Sequence, residues 1–415
     1  MTILYLSQNG ITEHIGESQI APYVLGLAAQ GYRIHLLTAE KADRSALAAD
    51  YRARFDAAGV RWTTIRYHNR PPVLGQLLDL IVMTWTAWRI ARREKIVAVH
   101  SRSHPPMPVA LLLKRLTGAR VLFDFRDFWA DSGLAHGRFK PLFRWIKRRE
   151  RGMVQQSDRM VTLTQAAADY LAATYPNPDG SGESRYSVIP CCADFAHFRP
   201  VDGTPARAQL GIAADATVML YLGSIGAVYL VPQMMALFAE LRRLRPGAVF
   251  LLVCNNGVEE IEAAADAAGI PREALRIVHA ARDEVPGLIG AADVAVAFKR
   301  ADLSNLGCSP IKIGEMLACG VPVIANGGVG DLDRLLAPEI NGSLTLPDFA
   351  PATMRAALET VLTARLPRDA IRNAAACFQL EPGVDAYAAA YNALGVLPNR
   401  GPMVSASSPT DMKTA

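Results

Sequence analysis

The chain has 415 residues, of which 51% are apolar and 20% are charged, and its formal net charge is +5. This length favours two domains over a single core, and the composition indicates a well-packed globular protein. The most apolar stretch, residues 73–88, carries Gln76 and Asp79, which argues against a membrane span. The first thirty residues lack a charged stretch followed by an apolar run, so we expect no secretory signal.

The cysteines indicate the redox environment of the protein, and the distribution of charge indicates the kind of partner that it binds. The six cysteines are scattered without any paired metal-ligand spacing, so we expect a reducing, cytoplasmic environment. Residues 1–200 contain 27 Lys and Arg against 17 Asp and Glu, whereas the remainder is mildly acidic. A basic first half predicts that this half faces something anionic.

The first half alternates short β-type runs with helical stretches. A helix is predicted over 18–30, ended by Gly31, and strands are predicted over 2–7, 33–38, 96–100, 120–124, 159–164 and 187–189. This alternation is typical of a parallel α/β sheet.

The same rhythm starts again in the second half, after a cluster of turn-forming residues at 200–205. Strands are predicted over 218–222, 249–254, 275–279, 294–298 and 321–325. We therefore predict two Rossmann-like domains, 1–200 and 201–379, with a last helix at about 380–396 that packs back on the first domain. Residues 399–415 are rich in Ser, Thr and Pro, and a disordered tail is predicted there.

The most informative segment is 309–325, which predicts a loop, a helix, a glycine stop and a buried strand. Ser309 suits a helix N-cap, Pro310 suits the first turn, and Ile311 and Lys312 follow. The free amides of such a helix start, with Lys312 close by, would bind an anion. Glu315 lies one turn further and can accept hydrogen bonds from ribose hydroxyls, so the segment predicts a nucleotide site.

Five stretches in order resemble the retaining family 4 glycosyltransferases, specifically a bacterial surface-polysaccharide subgroup. They are Gly-Glu-Ser-Gln-Ile-Ala-Pro-Tyr at 16–23, Phe-Asp-Phe-Arg-Asp-Phe-Trp at 123–129, Ile-Pro-Cys-Cys-Ala-Asp at 189–194, Tyr-Leu-Gly-Ser at 221–224 and Ser-Pro-Ile-Lys-Ile-Gly-Glu at 309–315. The resemblance implies the GT-B architecture, in which two Rossmann-like domains face each other across a cleft. It also implies metal-independent transfer of a sugar from a nucleotide-sugar to a saccharide or lipid-linked saccharide, without a cofactor.

The resemblance assigns donor contacts to Gly16, Gly223 and Ser224 besides the 309–315 segment. Two departures alter this assignment. The family's first glutamate of a pair spaced by eight falls at Gly307, and the usual basic pair after Gly223 is absent. Neutralising the diphosphate must then depend on Lys312, Lys299 or Arg300 and the helix start.

Candidate catalytic residues follow two strands of the first half, where open α/β sheets place ligand contacts. They are Arg102 and His104 after one strand, and Arg126 and Asp127 after the next. The competing interpretation for Asp124, Arg126 and Asp127 is a structural ion pair. Asp331 and Asp333 form an Asp-x-Asp pattern, which we interpret as a helix cap rather than a metal site, so no metal residue is predicted.

Residues 138–151 contain seven Lys and Arg against one Glu, and a second cationic aromatic cluster lies at 85–95. These stretches predict either a solvated basic helix or a docking surface for an anionic membrane leaflet, beginning at Arg138 and ending at Arg151. Nucleic-acid binding is not predicted, because no recognised fold signature accompanies the charge.

Three other functions remain open at this point. A sugar-nucleotide epimerase of the same architecture would need no acceptor, and an inactive sugar-nucleotide-binding relative would fit the absent acid at Gly307. A nicotinamide-dependent oxidoreductase is disfavoured because no Gly-x-Gly-x-x-Gly follows the first strand.

Overall fold

The computed structural model describes residues 1–41, 44–68, 71–137, 139–181, 184–364 and 366–399. Most of the predicted tail, 400–415, therefore lies outside the described residues. Among the described residues, no helix is long and apolar enough to cross a membrane.

The first domain is a seven-stranded parallel sheet in the order β3-β2-β1-β4-β5-β6-β7, with apolar clusters on both faces. The strands are β1 Thr2–Ser7, β2 Ile34–Glu40, β3 Arg61–Arg66, β4 Ile96–Arg102, β5 Arg120–Phe125, β6 Arg159–Thr162 and β7 Tyr186–Val188. The helices are α1 His14–Gln19, α2 Ala21–Ala29, α3 Ser45–Ala57, α4 Pro72–Arg93, α5 Met107–Thr117, α6 Trp129–His136, α7 Lys140–Gln156 and α8 Gln165–Thr174.

The second domain is a six-stranded parallel sheet in the order β10-β9-β8-β11-β12-β13. Its strands are β8 Val218–Leu222, β9 Val249–Val253, β10 Leu275–Val278, β11 Val294–Ala297, β12 Val323–Asn326 and β13 Leu344–Leu346. The helices are α9 Thr204–Gln209, α10 Val231–Leu244, α11 Val258–Ala267, α12 Val285–Gly290, α13 Leu303–Leu306, α14 Ile311–Ala318, α15 Leu332–Leu335, α16 Pro338–Asn341, α17 Pro351–Ala364 and α18 Arg368–Ala374, with α19 Leu380–Ala393 after them. The predicted fold class, two Rossmann-like α/β domains, is confirmed.

Three local predictions were wrong. The edge strands β3 and β13 were missed, because β3 buries only Trp62 and Ile65 and β13 has three residues, so neither forms a continuous apolar run. The single helix predicted over 18–30 is two helices. Ile20 leaves the helical conformation between α1 and α2, and Pro22 lies in the first turn of α2, where its missing N–H costs nothing.

The chain crosses between the domains twice, and the loops at the carboxyl ends of both sheets meet. Helix α19 lies in the core of the first domain, where the Tyr32 hydroxyl donates to the Asn392 side chain at 2.7 Å. The Thr164 hydroxyl donates to the Leu306 carbonyl at 2.8 Å, and the Cys191 amide donates to Ser309 Oγ at 3.1 Å. These contacts join the loops that follow β6, β7 and β11 into one cleft region.

Asp331 bridges the domains instead of capping its own helix. Its carboxylate accepts the backbone amides of Gln165 at 2.7 Å and Ala166 at 3.1 Å, at the N-terminus of α8 in the first domain. The prediction that Asp331 caps the helix after the glycine loop was wrong, because α15 carries no side-chain cap from it.

Candidate active site at the interdomain cleft

The predicted nucleotide segment forms helix α14, which begins at Ile311 with Pro310 as its N-cap residue. Ser309 does not cap this helix, contrary to the prediction, because its hydroxyl oxygen accepts the Cys191 amide from the other domain. Glu315 is buried, with its side chain 1% exposed, and lies 3.0 Å from the Lys312 ammonium. An ordinary solvent-facing glutamate is therefore excluded at position 315.

Lys299 brings a second cation to this edge. Its backbone amide donates to Asn326 Oδ1 at 2.8 Å, which fixes the chain after β11 beside the end of β12. Its ammonium lies 3.0 Å from Cys308 Sγ and 5.5 Å from the centroid of the Tyr229 ring. Burial lowers the pKa of Lys299, but Cys308 and Tyr229 outweigh this effect and raise it, so the side chain stays charged at neutral pH.

Gly223 and Ser224 follow β8 in a conformation that requires glycine. Gly223 has φ of 150°, which side chains rarely adopt, and the Tyr221 hydroxyl donates to the Ser224 carbonyl at 2.6 Å. Ser224 itself is exposed. The turn is therefore rigid and leaves the Ser224 side chain accessible.

Gly16 lies inside α1 and is buried. A Cβ there would come within 2.1 Å of the Gly10 carbonyl oxygen and within 2.5 Å of Ile11 Cα, so the loop folds tightly upon it. Glu40, which sequence reasoning missed, holds the same loop by accepting the Ile11 amide at 2.6 Å and the Thr12 hydroxyl at 2.8 Å. Gly16 is thus required for packing of the loop, whereas donor contact by its backbone stays a prediction.

Two further polar side chains of the first domain are exposed, Asp127 after β5 and His14 on α1. The Asp127 side chain reaches solvent, but the protein around it limits its hydration. This limited hydration raises the pKa of its carboxyl. His14 on α1 was not singled out from sequence, and its side chain also reaches solvent. The protein that covers part of the ring and the positive charge of Lys312 lower the pKa of His14. The charges of Lys312 and Glu315 on α14 both act on His14, so α1 lies within electrostatic range of α14.

Arg102 and Arg126 lie in a buried network centred on Asp124, not on the cleft surface. The exposed fractions of the two arginines are 5% and 7%. Asp124 Oδ2 lies 3.5 Å from Arg102 Nη1, Asp124 Oδ1 lies 3.5 Å from Arg126 Nη1, and the Tyr387 hydroxyl donates to Asp124 at 3.0 Å. Burial raises the pKa of Asp124, but Arg126, His100 and Arg102 outweigh it and hold the pKa well below its usual range. The structural ion pair, the competing interpretation, is what the structure contains.

Gln19 connects this network to the loop above it. Its amide oxygen accepts both Arg102 at 3.1 Å and Arg126 at 2.9 Å, while the Tyr23 hydroxyl accepts the Cys192 amide at 3.0 Å. Two motifs that lie a hundred residues apart therefore meet through Gln19 and Arg126. Gln19 belongs to the matched motif at 16–23, but its partners were not predicted, and Tyr387 could not be singled out from sequence, since only the return of α19 brings it to Asp124 and Arg126.

His104 is buried rather than exposed to the cleft. Its Nε2 lies 3.1 Å from Glu150 Oε2, and its ring packs edge-on against Phe125 with centroids 4.8 Å apart. Burial raises the pKa of Glu150, but the hydrogen bonds from His104 and Lys147 lower it to about 2. His104, which was predicted to be catalytic, is thus part of a buried polar pair with Glu150.

The position of the absent family glutamate is packed against the other domain. A Cβ on Gly307 would lie 3.2 Å from the Phe128 ring and 3.8 Å from Ala167 Cβ, both in the first domain. A glutamate side chain would not fit there without moving Phe128. The absence of the family glutamate at position 307 is therefore consistent with the close contact of the two domains at Gly307.

The predicted basic surface lies on α7, while its first residue, Arg138, falls outside the described residues. Lys147 is not part of the surface, since its ammonium lies 2.7 Å from both Asp131 and Glu150. The exposed cations on this helix are Lys140, Arg144, Arg148, Arg149 and Arg151. Within the described residues, no group of three or more His, Cys, Asp or Glu side chains could hold a metal ion.

Solved structures similar to this chain have the same two-domain fold. Sucrose-phosphate synthase from Thermosynechococcus elongatus superposes with a TM-score of 0.70 at 17% identity, covering 95% of this chain and 98% of that one. Anabaena HepE in complex with UDP-glucose gives 0.67 at 15% identity, covering 94% and 99%. WaaG, a glycosyltransferase involved in lipopolysaccharide biosynthesis, gives 0.61 at 14% identity, covering 97% and 100%.

Curated relatives are named D-inositol 3-phosphate glycosyltransferase. The one from Segniliparus rotundus is 29% identical over 273 residues, covering 64% of this chain and 58% of the relative. The one from Geodermatophilus obscurus is 31% identical over 256 residues, covering 59% and 54%. The chain thus spans little more than half the length of these relatives, and none of these names refers to surface polysaccharide.

Two family models match in succession. A glycosyl transferase 4-like domain matches residues 17–191, and the model of glycosyl transferases group 1 matches residues 203–376. The boundary between the matches coincides with the first crossing between the two sheets. The chain therefore consists of a glycosyl transferase 4-like domain followed by a domain of the glycosyl transferases group 1.

Proposed function

We propose that this protein is a retaining, metal-independent glycosyltransferase that moves a sugar from a nucleotide-sugar to a saccharide or lipid-linked saccharide in cell-surface polysaccharide assembly. The observation that carries the proposal is the buried Glu315 one turn inside α14, with Lys312 and Lys299 at the same edge of the cleft. A buried carboxylate beside a helix start and two cations matches the ribose and diphosphate of a nucleotide.

The reaction breaks the bond between the anomeric carbon and a diphosphate, so charge develops on the leaving group. The amides at the start of α14 and the Lys299 ammonium would stabilise that charge. Lys299 would replace the absent basic pair after Gly223, because it reaches the same loop through its contact with Tyr229. Lys312 is partly exposed and can turn from Glu315 towards a phosphate when the ribose hydroxyls bind that carboxylate.

On the acceptor side, Asp127 is the group we assign to the cleft, because it is exposed there with a raised pKa. Arg102 and Arg126 are assigned as positioning residues, which hold Gln19 and thereby the α1 loop. Retention would proceed by front-face attack, so no side chain has to act as a nucleophile. The protein would work at the cytoplasmic face of an anionic membrane, to which the exposed arginines of α7 would bind.

A second candidate acceptor is a soluble inositol phosphate, favoured by the names of the curated relatives. An epimerase or an inactive nucleotide-sugar-binding protein remains the alternative to transfer. Product analysis separates them, since an epimerase converts the donor without acceptor and an inactive protein converts nothing.

The test compares wild type with Glu315→Gln and Glu315→Ala for nucleotide binding and for sugar-nucleotide turnover. Thermal shift against a panel of nucleoside diphosphates and their sugars identifies the donor first. Removing a charged acceptor of two hydroxyl hydrogen bonds should weaken donor binding roughly 10- to 100-fold. Glu339→Ala, at an exposed glutamate of α16, is the matched control and should change nothing. Unchanged turnover in both Glu315 variants would remove Glu315 from this role.

A further inference from the structure

A cavity of about 170 Å³ lies in the first domain between α4, α5 and α7. Its wall is predominantly apolar, with Leu77, Leu80, Met83, Leu142, Trp145 and Ile146 among the residues that line it, and Gln76 and Asp79 of α4 are polar exceptions. An apolar cavity of about 150 Å³ stays dry and takes a benzene-sized molecule. This cavity is therefore large enough for a short stretch of hydrocarbon chain.

The outer mouth of the cavity opens on an exposed apolar surface, here named the α4–α7 surface. On α4 it consists of side chains that are 47% to 66% exposed, namely Leu74, Leu77, Leu78, Ile81 and Trp85. On α7 it continues with Trp145, which is 51% exposed. Contiguous exposed apolar side chains on a globular domain mark an interaction site rather than ordinary surface.

The α4–α7 surface carries positive charge at its edges. Exposed arginines follow Trp85 along α4 at Arg89, Arg92 and Arg93, and the Arg149 guanidinium lies 5.2 Å from the centroid of the Trp145 ring. Aromatic and aliphatic groups bordered by arginines match the interface of an anionic bilayer. A second copy of this chain would bring arginine against arginine, which disfavours self-association through this surface.

The inner end of the cavity lies beside the carboxyl ends of the first sheet. Gln8 follows β1, His104 follows β4 and Trp129 follows β5, and all three line it. His104 is 1% exposed, and its Nδ1 has no hydrogen-bond partner among the described residues, whereas its Nε2 lies beside Glu150. A buried, unpartnered nitrogen at the inner end of an apolar cavity can hydrogen-bond the polar head of an amphiphile.

We propose that this cavity binds the part of a hydrocarbon chain next to the head group of a lipid-linked acceptor. The rest of the chain lies on the α4–α7 surface, within the bilayer to which the arginines bind. The inference rests on the proposed function, since it places the start of the acceptor head group at His104, at the carboxyl edge of the sheet that Asp127 also follows. It also commits the acceptor to a lipid rather than a free sugar or a free inositol phosphate.

The test measures quenching of tryptophan fluorescence by bromoalkyl phosphates of four to twelve carbons, without donor. We expect quenching that strengthens with chain length and falls by at least half in the Trp129→Phe and Trp145→Phe variants. Leu77→Asp, at the mouth of the cavity, should weaken binding, so the half-saturating concentration of the bromoalkyl phosphate should rise at least fivefold. Leu116→Asp on α5 is the matched control, because Leu116 is 59% exposed and does not line the cavity.

Equal quenching in wild type and Leu77→Asp would overturn the proposal, as would quenching by the four-carbon compound, too short to extend from the cavity to Trp85, that survives loss of both Trp129 and Trp145. Sedimentation equilibrium that shows a dimer abolished by Leu77→Asp would assign the surface to a second copy and also overturn it. Transfer to a short soluble acceptor is measured in parallel. Chain binding without any transfer would contradict the proposed function alone, whereas transfer without chain binding would contradict this inference alone.

Discussion

The two edges of the cleft carry similar charged residues in opposite environments. In the first domain, Asp124 lies between Arg102 and Arg126 beneath α1, and all three side chains are buried. In the second domain, Lys299 and Lys312 are partly exposed beside the buried Glu315.

This difference distinguishes charged side chains that are paired within the protein from charged side chains that can bind a ligand. Arg126 donates to Gln19 and Tyr387 and lies beside Asp124, and its Nε, which has no partner among the described residues, is buried, so little of this guanidinium is open to a ligand. A partly exposed ammonium can exchange its neighbour for a phosphate at small cost. The comparison therefore supports the proposed roles, which are positioning by the first edge and stabilisation of the leaving group by the second.

The largest effect is expected at the centre of the buried network. Asp124→Ala leaves Arg102 and Arg126 buried without their carboxylate, which should destabilise the first domain by about 3–5 kcal/mol. Thermal unfolding measures the change. Glu262→Ala, which removes an exposed partner of Arg272, is the control and should stay within about 0.5 kcal/mol. A loss at Asp124 no greater than the control would show that the network is not structural.

The second edge should respond in catalysis and not in stability. Lys299→Ala should raise the barrier for turnover by about 2.7–4 kcal/mol, which is roughly 100- to 1000-fold in kcat, because it removes a preorganised cation from the leaving group. Arg300, the alternative cation for the diphosphate, is exposed to solvent, so Arg300→Ala should lower kcat far less than Lys299→Ala does. Steady-state kinetics with the identified donor measure both variants. Equal losses would show that Lys299 contributes only to the general field of the cleft.

A third prediction concerns pH. Because the folded protein lowers the pKa of Glu150 from 4.5 to about 2, the pair adds stability at neutral pH. This stability is complete above about pH 4.5 and is lost as the pH falls towards 2. Wild type should therefore unfold at a higher temperature than Glu150→Gln at pH 7, and the difference should shrink between pH 4.5 and 3. A difference that is constant over this range would contradict the depressed pKa.

The smallest effect is expected where the domains touch. Asp331→Ala removes the carboxylate from the N-terminus of α8, which should cost about 1 kcal/mol, as for other helix caps. Asp333→Ala is the matched control, because its carboxylate accepts only the Gly328 amide within its own loop at 2.9 Å. Thermal unfolding measures stability, and small-angle scattering measures whether the domains separate. An unchanged melting temperature together with unchanged scattering would show that the Asp331 bridge contributes nothing.

Local periodicity was sufficient for most of the fold. Strands β1 and β8 were predicted at their observed bounds, because each is a short continuous run of buried apolar residues. Edge strand β3 escaped detection because it is half exposed and carries charge at both ends. The helix at 311–318 was anticipated from its flanking proline and glycine, but the partner of Ser309 was not, since it lies 118 residues away.

The sequence by itself determined the residue types available for chemistry, the two-sheet architecture and the position of Glu315 inside a helix. Only the tertiary structure decided which charges face the cleft. Burial and pairing depend on elements distant along the chain: α19 brings Tyr387 to Asp124, and α7 brings Glu150 to His104. The sequence does not show whether the partner of a charged side chain is a substrate or a neighbouring residue. Only folding determines how far that side chain is exposed to water.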